Sequence, residues 1–318
     1  MVMARADLLI DLVRAARTGT DDELRRIVES VIAEEESKHH HLLADRLRQA
    51  LQVNGHQIPL GAGELDMPEG LQVRTPQRRI EDLVLPDSVV AEVLEIVEEQ
   101  RRIELLRAHG LEPRHRLLLL GPPGTGKTTL AEALAERLLA PIAVLHYEAV
   151  IGSFLGETGA RLAQVFAWAR TRRCVLFLDE FDAIAKERGD EHETGEIKRV
   201  VSSLLMLVDE LPSHVVVVAA SNHPELLDRA AGRRFELTLQ LPAPTAAARR
   251  EWWTRYLHAL PHEIKAAPKT LAERTPASNY AELEDLGQDI RRQLVLHPGA
   301  NPSTLVNERI ARWRKRRA

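Results

Sequence analysis

The stretch LLLLGPPGTGKTTL, residues 117–130, constrains this chain more tightly than any other. An apolar run of strand length stops at a loop built from three glycines and two prolines, and a helical pattern over Leu130–Leu139 follows. Gly121-Pro122-Pro123-Gly124-Thr125-Gly126-Lys127-Thr128 fits G-x-x-x-x-G-K-[ST] without a gap, between a strand and a helix as that motif requires. The residue types follow from the chemistry of an anion. Glycines let the backbone curl until successive N–H groups converge on one point, and the next helix turns its electropositive end toward the same point. The expected cradle is Pro123, Gly124, Thr125, Gly126, Lys127, Thr128 and Thr129, with Lys127 reaching the β- and γ-phosphates of a nucleotide and the Thr128 hydroxyl facing Mg²⁺.

The second informative stretch is CVLFLDEFDAI at 174–184. Val175–Leu178 reads as a buried strand that ends in Asp179 and Glu180. Such a pair alone could be a solvated turn. Downstream of a phosphate loop it supplies what phosphoryl transfer needs: Asp179 to hold the metal shell and Glu180 to polarise the attacking water. Loop and acidic pair together predict an NTPase that works with Mg²⁺.

Composition sets the remaining bounds. With 318 residues, 44% of them hydrophobic, the chain can bury a sizeable core and form about two domains. Its single cysteine, Cys174, lies in an apolar run and reads as a core residue in a reducing compartment. Apolar runs such as Val215–Ala220 are too short to span a bilayer, and Asp7 and Asp11 interrupt the first apolar stretch, against a signal peptide. A cytoplasmic protein is expected, with no membrane partner. The net charge of −4 gives no overall attraction to nucleic acid. The 36 arginines against seven lysines are spread along the chain and read as codon bias.

Along the chain, helices are expected at 3–16 and 21–52, the second opened by a Thr20…Glu23 capping box. Residues 54–76, rich in Gly and Pro, read as a linker. A helix over 88–109 precedes the strand Arg116–Leu120, and strands then alternate with helical stretches to about 243, the pattern of a parallel α/β sheet. Helices follow at about 245–258, 280–295 and 303–316. His39-His40-His41 point to different sides of a helix, and Pro261 separates His258 from His262, so neither group has the geometry of a metal site. There is no G-x-S-x-G and no H-E-x-x-H.

Residues from about 80 to 300 resemble the AAA family of ATPases. The stretch FDAIAKERGDEHETGEIKRVVSSLLMLVDEL is similar to the family's segment after the acidic pair, and VVVVAASNHPELLDRAAGRRFELTLQLPAPT to its second region of homology. The resemblance implies a three-layer P-loop NTPase sandwich with a parallel sheet (77–243), a small all-α lid (244–318) and a short helical N-terminal adaptor region (1–53). It implies that Asn222 orients water near the γ-phosphate, and that Arg233 and Arg234 fall where arginine fingers complete a neighbouring subunit's site. The family spacing R-P-G-R-F is replaced here by Ala231-Gly232-Arg233-Arg234-Phe235, so the first finger has either moved to Arg233 or been lost. Fingers that act across an interface imply a homo-oligomeric ring, a hexamer in this family. Ser278-Asn279-Tyr280-Ala281-Glu282-Leu283 resembles the start of the lid helix facing the nucleotide, with Ala281 beside the adenosine.

HYEAVIGSFLGETGARLAQVF, 146–166, resembles the segment that lines the pore of protein-remodelling rings, with Phe154, Leu155 and Gly156 at the aromatic–hydrophobic–glycine positions. An aromatic side chain grips a polypeptide without sequence demands. Phe154 could also be a core residue. The preferred function is therefore a ring-forming motor that remodels protein substrates, any degradation being left to a separate protease or other effector partner. The rival is a nucleic-acid-associated loader or transposition-type regulator, using six basic residues in nine at Arg309–Arg317 around Trp313. A solvated helix end with cations at the negative pole of its dipole explains the same residues and is preferred. A slow switch that holds a partner is a third reading.

Overall fold

The central strands are apolar at nearly every position, and the structure shows where the two sets of side chains go. In the computed structural model, which describes residues 67–146, 155–181, 194–226, 232–261 and 264–317, strand β1 is Leu71–Arg74, β2 Arg116–Leu120, β3 Ile142–Leu145, β4 Cys174–Leu178, β5 Val215–Ser221 and β6 Leu237–Gln240. They form one sheet in the order β1-β3-β4-β5-β2-β6. Every neighbouring pair is parallel except β1 with β3. Because successive side chains of a strand alternate between faces, Cys174, Leu176 and Leu178 join one core while Val175 and Phe177 join the other. In β5, Val215, Val217 and Ala219 divide from Val216, Val218 and Ala220 in the same way. A sheet covered on both faces needs no polar alternation, hence the continuous apolar runs.

Helices supply the two covers. Helix α1 spans Asp87–Arg101, α2 Ile103–Ala108, α3 Lys127–Arg137, α4 Leu155–Arg170 and α5 Thr194–Asp209. Val93, Ile96, Leu130 and Leu134 of α1 and α3 pack on one face; Leu162, Phe166, Leu204 and Val208 of α4 and α5 pack on the other. Helix α6 is Ala246–His258, α7 Pro268–Arg274, α8 Tyr280–Leu296 and α9 Pro302–Arg317. Their apolar side chains form a third cluster around Trp253, whose indole N–H donates to Thr275 Oγ1 at 3.1 Å. Tyr256 stacks on Trp252 and donates its hydroxyl to the Gly287 carbonyl at 2.7 Å; burial pushes its phenol up to about 12.

Gly287 sits in the middle of α8, where glycine ordinarily weakens a helix by about 1 kcal/mol relative to alanine. A Cβ there would lie 2.8 Å from Tyr256 Cε2 and 3.0 Å from Trp252 Cη2, rings fixed by stacking and by the Tyr256 hydrogen bond. Overpacking such a contact costs about 1–3 kcal/mol, more than the gain in propensity. Gly287→Ala is expected to destabilise the chain by up to about 2 kcal/mol net, read as a lower denaturation midpoint.

Three differences from the sequence reading have local causes. The stretch 54–76, read as linker, ends in β1, where Leu71 lies opposite Leu145 and Arg74 opposite Ile142. A four-residue edge strand with only two apolar positions gives too little signal beside flanking Gly and Pro. The helix over 88–109 is two helices, interrupted at Arg102 (φ −108°, ψ 30°). The helix expected over Leu130–Leu139 begins three residues earlier, at Lys127, because Lys127 and Thr128 form its first turn, and it ends at Arg137. The helices expected at 3–16 and 21–52 lie outside the described residues. Among the described residues, no helix is long and apolar enough to cross a membrane.

Candidate nucleotide site

The carboxyl ends of β2, β5 and β4 are adjacent in the sheet, with Leu120 paired to Ser221 and Leu178 to Ala219. Three separate sequence segments therefore meet where these strands end, a position that open α/β sheets use for ligands. The first is the glycine-rich loop. Gly121 (φ 156°) follows β2 so close to the backbone after β6 that a Cβ would lie 2.1 Å from the Leu241 carbonyl oxygen. Gly126 (φ 92°) caps α3 in the left-handed conformation. Between them, the buried Thr125 donates its hydroxyl to the Pro122 carbonyl at 2.9 Å.

Lys127 is buried and its ammonium donates to the Gly121 carbonyl (2.7 Å), the Pro122 carbonyl (2.9 Å) and Asn222 Oδ1 (2.7 Å). Asn222 follows β5 directly, so the strand between the loop and the acidic pair brings it to the lysine. Thr128 Oγ1 lies 3.4 Å from Asp179 Oδ2. One hydroxyl and one carboxylate form a small, hard oxygen donor set that fits Mg²⁺, which binds through few protein oxygens plus phosphates and water. The other oxygen of Asp179 accepts the Glu180 N–H at 2.9 Å. Glu180 is exposed and left-handed at φ 50°, a conformation that disfavours a residue with a Cβ. The chain then returns to β5 through Phe181 N–H to the Ala220 carbonyl at 2.8 Å, and Phe181 packs edge-on against Phe235. Strain held at one position by its surroundings is often found at functional sites.

Helix α8 approaches the same loop from the other side. Ala281 is exposed in its first turn, and the N–H groups of Tyr280 and Ala281 donate to the Gly124 carbonyl at 2.9 and 3.3 Å. Asn279, the N-cap of α8, donates from Nδ2 to the Pro123 carbonyl at 3.3 Å. Sequence reasoning passed over Asn279, although Asn279…Glu282 is visible as a capping box. Among the described residues, no group of three or more His, Cys, Asp or Glu side chains could hold a metal.

The structure thus brings Lys127, Thr128, Asp179 and Asn222 together. Arg233 and Arg234 are exposed at a different place. Arg234 is ion-paired with Asp209, whose other oxygen accepts from Arg116 at 3.0 Å, and Arg116 also binds Glu236 at 2.9 Å. Arg116 opens β2 and the loop follows Leu120, so the partners of Arg234 stand about 13 Å along the strand from the loop. The Arg234–Asp209 pair left no mark in the sequence, since Asp209 and Glu210 are adjacent acids at the end of α5 and either could pair. Leu155 and Gly156 open α4, while Phe154 lies outside the described residues. Cys174 is buried and its thiol is pushed up to about 12 by desolvation, as a core residue should be.

Comparison with known proteins agrees with this geometry. Residues 117–243 match the family described as ATPase family associated with various cellular activities (AAA). Over 256 residues the chain is 37% identical to an AAA family ATPase, y4kL, of Sinorhizobium fredii (strain NBRC 101917 / NGR234), covering 77% of this chain and 76% of that protein. It is 34% identical over 218 residues to the cell division cycle protein 48 homolog of Archaeoglobus fulgidus, covering 67% of this chain but 30% of the relative. With the ATP-dependent zinc metalloprotease FtsH 2 of Symbiobacterium thermophilum the figures are 33% over 213 residues, 64% and 36%. The chain therefore spans about a third of the length of these two larger relatives. With a match that covers three-quarters of y4kL and the loop, acidic pair and Asn222 meeting at the carboxyl ends of three inner strands, the chain belongs to the AAA family of ATPases and hydrolyses ATP.

Proposed function

We propose that the chain is the motor subunit of a homo-oligomeric ring, a hexamer, that uses ATP hydrolysis to remodel or unfold protein substrates. The observation that supports assembly most directly is the position of Arg234, held by Asp209 at the amino ends of the strands while the loop lies at their carboxyl ends. A guanidinium so placed serves a neighbour's nucleotide better than its own. On this reading the loop amides and Lys127 bind the phosphates. Thr128 and Asp179 would hold Mg²⁺, whose charge would offset that of the nucleotide's phosphates. Glu180 takes a proton from the attacking water, Asn222 orients that water, and Arg234, with or without Arg233, steadies the charge that develops at the neighbouring γ-phosphate. Residues 244–318 act as a lid, 1–53 as a substrate or partner adaptor, and the stretch up to β1 as the linker.

Relatives named as a cell division cycle protein 48 homolog and as an ATP-dependent protease support work on proteins. The chain has no H-E-x-x-H, so degradation would need a separate partner. The nucleic-acid reading loses support at α9: Trp313 packs against the helical core, and Arg309 is engaged by Gln293 and Asp289. A stacking platform requires an aromatic face free to meet a base.

Phe154→Ala tests the remodelling assignment. ATP turnover is expected to stay within about twofold, because an apolar grip on the substrate is separate from the phosphates, while ATP-dependent unfolding of a client is lost. A core phenylalanine would instead leave a cavity costing about 3–5 kcal/mol, and turnover and melting temperature would fall together. Loss of a nucleic-acid-stimulated ATPase with unfolding intact would favour the rival.

A further inference from the structure

The outer side of the glycine-rich loop has a partner, and it is the first turn of α8. Two carbonyls, those of Pro123 and Gly124, face that turn. Gly124 accepts from the N–H groups of Tyr280 (2.9 Å) and Ala281 (3.3 Å), and Pro123 accepts from Asn279 Nδ2 (3.3 Å). The opening N–H groups of a helix have no partner within it, so loop and helix each supply what the other lacks.

Asn279 does two jobs with one amide. Its Oδ1 accepts the Glu282 N–H at 2.9 Å and its own N–H donates to Glu282 Oε2 at 3.0 Å, which closes a capping box. Its Nδ2 remains for the loop. Serine or aspartate caps a helix about as well as asparagine, but an ionised aspartate has no donor and serine is too short to reach the same carbonyl. The fit is also steric. A Cβ on Gly124 would lie 2.5 Å from Asn279 Cγ and Nδ2 and 2.6 Å from Oδ1, so the amide lies directly against the glycine α-carbon, which is left-handed at φ 74°. An exposed cap that only started a helix would need no such contact.

We propose that Asn279 is a positioning residue that latches α8 to the outer carbonyls of the phosphate loop and thereby sets how tightly ATP is held and how fast ADP leaves. The proposal rests on reading 121–128 as the phosphate cradle. Movement of α8 away from the core must break these three hydrogen bonds, so the conformation of the loop and the position of the helical group change together. Two further ties do not depend on Asn279. Arg255 donates to the carbonyls of Glu81 (2.6 Å) and Leu83 (2.9 Å), and Arg78 pairs with Glu284 at 2.5 Å. Loss of the Asn279 latch therefore loosens one contact without releasing the helices from the core.

Asn279→Ser, made in the full chain, separates latch from cap. The cap is kept, so the melting temperature is expected to match the unmodified chain. The dissociation constant of a fluorescent ADP analogue and KM for ATP are expected to rise roughly three- to tenfold, the worth of one net hydrogen bond, with kcat unchanged or higher as ADP leaves faster. Asn279→Ala removes the cap as well and should lower the melting temperature in addition. Unchanged affinity in Asn279→Ser overturns the proposal, as does an affinity loss that appears only with a lowered melting temperature. Lys127→Ala is measured alongside. If that variant binds ADP and ATP normally, the cradle reading itself fails; if it loses binding while Asn279→Ser is normal, only the latch fails.

Discussion

Glu180→Gln should bind ATP as well as the unmodified chain and hydrolyse it about 10²–10⁴ times more slowly, the range that a positioned general base contributes. The substitution keeps the shape of the side chain and leaves the backbone N–H of residue 180 on Asp179 Oδ1. Thr128 still faces Asp179 at 3.4 Å, and Lys127 keeps its contacts to the loop carbonyls and Asn222. What changes is the capacity to accept a proton, because a neutral amide is a far weaker base than a carboxylate. Lys127→Ala is the contrasting variant: it removes a buried cation from the cradle and should weaken binding itself. Equilibrium nucleotide binding and single-turnover hydrolysis on both variants decide the matter. Equal loss of affinity in the two would mean that Glu180 belongs to the binding cradle and that water is activated elsewhere.

Much of this site could be read from the chain because its chemistry is local. Gly121 to Thr128 must be contiguous, since one turn of backbone has to present several N–H groups to one anion. Asp179 and Glu180 follow a run with no polar residue, so the buried strand that aims them is visible as Val175–Leu178. Both faces of the sheet are covered, and the continuous apolar runs report this without any tertiary knowledge. The strand order is another matter. That β5 lies between β2 and β4, which carries Asn222 to Lys127, depends on pairings between residues about 40 to 100 positions apart. Here the family resemblance pointed to Asn222, and local pattern could not.

Contacts between segments were the least legible. Asn279 is recognisable as a helix cap, yet nothing in SNYAEL says that its Nδ2 meets Pro123, 156 residues away. Gly124 illustrates the same limit: the motif leaves this position open, and the side chain that lies against it comes from α8. Strand β1 was hidden because its pairing partner, Ile142–Leu145, carries most of the burial. The ion pair of Asp209 with Arg234 joins a helix end to a turn 25 residues on, and charged residues at helix ends are too common to mark one as a partner.

Arg234→Ala is expected to leave ATP binding intact and to reduce turnover by a factor on the order of 10³, within the 10³–10⁵ that arginine fingers contribute in phosphoryl transfer. The partners of Arg234 are Asp209 and, through it, Arg116 and Glu236, all near the start of β2. A defect in the chain's own cradle would therefore have to travel the length of the strand, whereas a defect in a neighbour's site requires only that the exposed guanidinium be missing from the interface. Two further measurements follow. Specific activity of the unmodified chain should rise with protein concentration as subunits meet. Mixing Arg234→Ala with Glu180→Gln subunits, each inactive alone, should restore part of the turnover, since an intact cradle can then face an intact finger. Arg233→Ala, the comparison variant, separates the two arginines: if it is the more damaging, the finger has moved by one position and Arg234 serves mainly to hold Asp209. Constant specific activity from dilute protein upward, together with no recovery on mixing, would place the arginine's effect within one subunit and remove the main support for a ring.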